Sequence, residues 1–73
     1  MKLNNNQIID LMLGTLKVAG IDINDSKKLR QLFKQVNPSA RKLFIKAFQE
    51  TGQENKVGKV YFVLLDLENE ILN

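Results

Sequence analysis

The sequence predicts an all-α protein, a compact four-helix domain, on three observations. Apolar residues recur at helical spacing in four segments, glycine and Asn/Asp residues punctuate the chain between those segments, and the connections are short. Asn4 to Asn6 offer caps for a first helix over about residues 5–19, which Gly20 closes as a C′ glycine with the hydrophobic Ile21 behind it. The stretch "IDINDS" supplies Asp22, Asn24, Asp25 and Ser26 to cap a second helix over about residues 26–36. "NPS" marks the next boundary: Asn37 is the N-cap, and Pro38 at N1 loses no hydrogen bond and has φ already set. The third helix spans about residues 38–51 and ends at Gly52. After "GQEN" a last helix covers about residues 56–72. A start near Lys59 is the alternative, because Gly58 costs about 1 kcal/mol inside a helix relative to Ala. The run "KVYFVLLDL", residues 59–67, also has strand character. Helix is preferred, since a lone strand has nothing to pair with and the helical period continues through Ile71.

The two middle helices are amphipathic. Leu29, Leu32, Phe33 and Val36 fall at i, i+3, i+4, i+7, with Lys27, Arg30 and Lys34 opposite; Ala40, Leu43, Phe44, Ala47 and Phe48 share a stripe, with Arg41, Lys42, Lys46 and Gln49 outside it. The first helix is apolar over most of its circumference, with Asp10, Gly14 and Lys17 as a narrow polar strip, and is expected to be buried nearly all round. The fourth places Val57, Val60, Tyr61, Leu64, Leu67 and Ile71 on one stripe, and Phe62 projects toward the polar side.

Length and composition bound the function. A chain of 73 residues makes one domain, 1–73, without repeat or linker, and a domain of that size buries only about 60% of the surface its unfolded chain exposes. There is no Cys and no His, which excludes disulfides, thiolate and imidazole ligation, and His-based catalysis. The longest apolar run, "VYFVLL", is far short of the roughly 20 residues that span a bilayer. The N-terminus lacks the pattern of a secretory signal. A cytoplasmic protein with no membrane contact is expected. "TGQENKVGKV" fails as a phosphate loop: five residues separate Gly52 from Gly58, and Val60 stands where Ser or Thr would bind magnesium. "DINDSKKLRQLF" fails as a calcium loop, with Lys27 at the turn glycine and Phe33 at the bidentate glutamate. Asp66 and Glu70 are i,i+4 neighbours, the pattern of a solvated helix face. No catalytic residue, metal site or cofactor is therefore expected, and the protein reads as non-enzymatic.

The strongest functional signal is the block "KKLRQLFKQVNPSARKLFIK", residues 27–46. It carries seven Lys or Arg and no acid, whereas the rest of the chain sets eight acids against four bases, so the block supplies the whole net charge of +3. Two readings follow. In the first, a small regulatory or adaptor protein binds an acidic protein partner through Lys27, Arg30, Lys34, Arg41, Lys42 and Lys46, with Ile45 as the apolar centre of the contact. Ile45 reads equally as a half-buried flank residue. In the second, the same face contacts nucleic acid phosphates, although the solvent faces offer few base-reading amides. Charge reversal at Arg41, Lys42 and Lys46 together is expected to abolish binding with little loss of stability. The Lys-, Asn- and Ile-rich usage suits an AT-rich bacterial or phage genome, and the size suits a phage-encoded inhibitor of a host factor. The apolar excess of helices one and four further predicts a symmetric homodimer through Leu11, Val18 and Phe62.

Overall fold

The computed structural model describes residues 2–72, with side chains through residue 70. It holds four α-helices and no strand among those residues: α1 (Asn5–Val18), α2 (Ser26–Lys34), α3 (Pro38–Thr51) and α4 (Val60–Leu72). The strand alternative for residues 59–67 is thereby excluded, and the place of Ile71 on the α4 stripe lies outside the described side chains.

Local chemistry sets each boundary. Asn4 opens α1 with a capping box, its side chain accepting from the Gln7 amide at 2.8 Å while the Gln7 side chain accepts from the Asn4 amide at 3.0 Å. The helix closes in a Schellman motif, with the Ile21 amide donating to Leu16 and the Gly20 amide to Lys17. The Asp25 side chain accepts from the Lys28 amide and caps α2. That helix ends at Lys34, two residues before the expected Val36. Pro38 explains the difference, because its ring would clash with the carbonyl of residue 34 and it pushes Asn37 out of the helical region (ψ 135°). In α3, the Asn37 side chain accepts from the Ser39 amide and Gly52 terminates the helix at φ 68°.

The start of α4 is also corrected, from about residue 56 to Val60. Gly58 has φ +59°, outside any right-handed helix, and its α-carbon lies against the α1–α2 loop: a β-carbon there would stand 2.6 Å from the Ile23 carbonyl oxygen. The next amide, that of Lys59, donates to the same oxygen at 2.8 Å. This is where two loops, distant in sequence, lock together.

α1 packs along α3, α2 along α4, and α3 against α4 joins the two pairs. The core is one cluster, built from Ile9, Met12 and Leu16 of α1, Leu29 and Phe33 of α2, Ile45, Ala47 and Phe48 of α3, and Val60, Val63, Leu64 and Leu67 of α4, with Val57 beneath the last loop. Three expectations about faces are overturned. Arg41, read as solvent-facing, and Ile45, read either as the apolar centre of a contact or as a half-buried flank residue, are buried, while Leu43, read as core, is 48% exposed. α3 sits between α1 on one side and α2 and α4 on the other, so its buried arc is wider than its apolar stripe and rotated toward Arg41 and Ile45. Helix α1, expected to be buried nearly all round, leaves Leu11 63% and Val18 91% exposed, because its main neighbour is α3 alone. No described helix is long and apolar enough to cross a membrane.

Candidate functional site

The seven cations of the 27–46 block do not form one free basic face. Arg41 is 5% exposed, and its Nη1 donates to the Phe33 carbonyl oxygen at 2.9 Å. That carbonyl belongs to the last turn of α2, where a cation is favoured by the helix dipole, and it also accepts from the Val36 amide at 3.1 Å. Arg41 thus ties the end of α2 to the start of α3. Arg30 reaches across to α4 and pairs with Asp66 (3.9 Å) and Glu70, so the i,i+4 carboxylates hold a guanidinium. Lys42 lies 3.8 Å from Glu68, and Lys46 lies 3.9 Å from Glu50 one turn along α3. Among the described residues, Lys27, Lys28 and Lys34 have no carboxylate within ion-pairing distance. Ile45 belongs to the core. The acids missing from the block in sequence are delivered to it by the fold, chiefly from α4.

An apolar concavity lies elsewhere, between α1 and the α2–α3 corner. It is an open groove of about 370 Å³, lined by Leu3, Ile8, Leu11, Met12, Thr15 and Leu16 on one wall and by Leu32, Phe33, Val36, Ala40, Leu43 and Phe44 on the other. Thr15 is the one polar residue in that lining, and its hydroxyl donates to the Leu11 carbonyl at 2.9 Å. The groove exists because Pro38 turns the chain sharply, setting Val36 and Ala40 at one corner, where the small Ala40 leaves room that a larger side chain would fill. Phe33 and Phe44 pack edge to face at 6.5 Å and form part of its wall. Leu3, Leu11 and Leu43 stand exposed along its rim.

One cation is linked to this groove through a neighbouring depression. Lys28 lines that shallow depression, which shares Leu32 with the groove. Lys46 follows Leu43 by three positions on α3 and Lys2 precedes Leu3 in the chain, while Asp10 stands beside Leu11. Of the residues expected to mediate self-association, Leu11 and Val18 share the outer face of α1 with Gly14 and Thr15. Phe62 is 55% exposed but lies on α4, edge to face with Tyr61 at 6.0 Å. α4 itself packs on α2 and α3.

Leu32, Phe33, Val36, Ala40, Leu43 and Phe44 of the groove fall on the apolar stripes of the two middle helices, and Leu11 on the expected self-association surface; helical period reports that a face is apolar and not whether something covers it. The available signal was the excess of apolar face over what four short helices can enclose. Among the described residues no group of three acidic side chains is arranged to hold a metal ion. No protein-family model, curated protein or solved structure matches the chain.

Proposed function

We propose that the protein is a small non-enzymatic binding module, regulatory or adaptor in role, that receives an acidic amphipathic helix of another protein in the groove between α1 and the α2–α3 corner. The observation that carries this reading is the groove itself: an open, apolar cleft rimmed by exposed Leu3, Leu11 and Leu43. Contiguous exposed apolar surface of this kind marks interaction sites. A helix laid in such a cleft anchors two or three apolar side chains at i, i+3 or i+4, and i+7. Charge favours an acidic occupant, since Lys28 lines a depression that shares Leu32 with the cleft and complementary rims raise association rate and exclude wrong partners. The cleft lining offers no titratable group for acid–base chemistry, and its one hydroxyl is bonded to backbone. Relative to a basic face alone, this reading moves the contact from Arg41 and Ile45 to the leucine rim and keeps an acidic protein as the partner. The nucleic-acid alternative retains Lys27, Lys28 and Lys34 as its free cations.

The test is a panel of helical peptides that share leucines at i, i+3 and i+7 and carry Glu, Gln or Lys at the remaining positions, titrated by NMR. Expected is saturable binding that falls in the order Glu, Gln, Lys, with shifts centred on Leu11, Val36 and Leu43, and loss of binding in Leu43→Lys. Binding that ignores peptide charge, or survives Leu43→Lys, overturns the reading. Tight binding of random duplex DNA that collapses between about 50 and 200 mM salt would replace it with the phosphate-binding one.

A further inference from the structure

The outer face of α1 carries a second pattern, adjoining the groove at Leu11 and Thr15 and centred on Gly14. Gly20, Gly52 and Gly58 all have positive φ, a conformation that favours glycine. Gly14 is different. It sits within α1 without positive φ, and a β-carbon added there would meet nothing within 4 Å. Glycine is the poorest helix former after proline, and no contact inside the chain requires it at this position. What a bare α-carbon provides on an exposed helix face is close approach by something from outside.

The residues around Gly14 say what fits. At about 100° per residue, Leu11 and Val18 flank it on one side, and Asp10 and Lys17 on the other. Each pair is separated by seven positions, or two turns and roughly 10 Å along the axis. Gly14 lies near the midpoint of both pairs. Among the described residues neither Asp10 nor Lys17 has an opposite charge within ion-pairing distance, the ion pairs there being those of Arg30, Lys42 and Lys46.

We propose that α1 pairs antiparallel with α1 of a second copy about a two-fold axis passing beside Gly14, with Asp10 of each chain opposite Lys17 of the other. A two-fold axis perpendicular to both helices keeps each flank against its own counterpart and reverses it end for end. Leu11 then meets Val18 along the apolar flank, and Asp10 meets Lys17 twice along the charged flank, an isologous contact. A parallel two-fold pairing would instead set the charged flank of each chain against the apolar flank of the other, leaving Asp10 and Lys17 without partners. Bringing both charge pairs together requires a shallow crossing near 20°, as in helical bundles, and the bare Gly14 backbone permits the close axes. Two helices of 14 residues, about 21 Å long, bury less than the about 1,200–2,000 Å² of a standard interface. The dimer is therefore weak and concentration-dependent, not obligate. It shares Leu11 and Thr15 with the groove rim but leaves Leu32, Val36, Ala40 and Phe44 uncovered.

Charge exchange followed by sedimentation equilibrium tests this. In low salt at up to several hundred micromolar, the wild type is expected to rise above 8.4 kDa toward twice that mass. Asp10→Lys and Lys17→Asp each place like charges opposite one another and are expected to weaken association at least about tenfold. An equimolar mixture of the two recovers the dimer, as does the double exchange. Leu43→Lys, on the far wall of the groove, leaves association unchanged, which separates this proposal from the groove reading. Circular dichroism verifies that the variants remain helical, as their exposed positions lead one to expect. A wild type that stays at 8.4 kDa, single variants that dimerise as well as wild type, or a mixture that fails to recover would each overturn the pairing.

Discussion

Along α2 and α4 the surface is charged and largely satisfied within the chain: Arg30 spans to Asp66 and Glu70, and Lys42 crosses from α3 to Glu68. Along α1 the surface is apolar and open, with Leu3, Leu11 and Val18 facing water and Leu43 across the groove. Both regions belong to a domain too small to enclose all of its apolar faces. α4 is placed where its carboxylates meet cations from two other helices, so charge is cancelled there. α1 has α3 as its main neighbour, so Leu11 and Val18 of its apolar circumference stay uncovered. On the proposed reading the contact lies on the side with less charge, while four of the seven cations of the basic block, Arg30, Arg41, Lys42 and Lys46, are engaged within the chain.

Breaking the closed side at its backbone joint should have the largest effect. Gly58→Ala forces an L-residue into the left-handed region, at about 1–2 kcal/mol, and drives a β-carbon to 2.6 Å from the Ile23 oxygen. A total loss of at least about 2 kcal/mol is expected in urea denaturation. A loss below about 1 kcal/mol would mean that the two loops are not locked together. Next comes Arg41→Met, which keeps an apolar stem but removes the charged donor from the Phe33 carbonyl. It should cost about 1.5–3 kcal/mol, largely insensitive to salt because the site is buried. If Arg41→Glu proved as harmless as a surface change, the solvent-facing reading of Arg41 would return.

The smallest effects sharpen the contrast between the sides. Asp66→Asn should lower stability by no more than about 1 kcal/mol, and the difference should vanish near 1 M salt, as for exposed ion pairs. Val18→Lys on the open side should change stability by no more than about 0.5 kcal/mol. A large stability loss there would show that α1 is covered in solution by something that the isolated chain does not supply.

The sequence by itself determined what depends on neighbours along the chain. Asn4, Gly20, Asn37, Pro38 and Gly52 act within one or two turns of themselves, and each marks a boundary where expected. So does the helical period of "KVYFVLLDL", which prevails over its strand propensity once the segment has a core to face. Even Gly58 signalled a late start for α4. Tertiary structure decided which apolar faces are covered and which charges are free. Arg41 and Leu43 exchange their expected places because α3 is sandwiched between helices, a fact of docking with no trace in its own period. The acids that neutralise residues 27–46 lie mainly on α4, some 25 to 40 positions away. Hydrophobic burial and ion pairing act between surfaces, and a one-dimensional pattern states what a surface is made of without stating what lies against it.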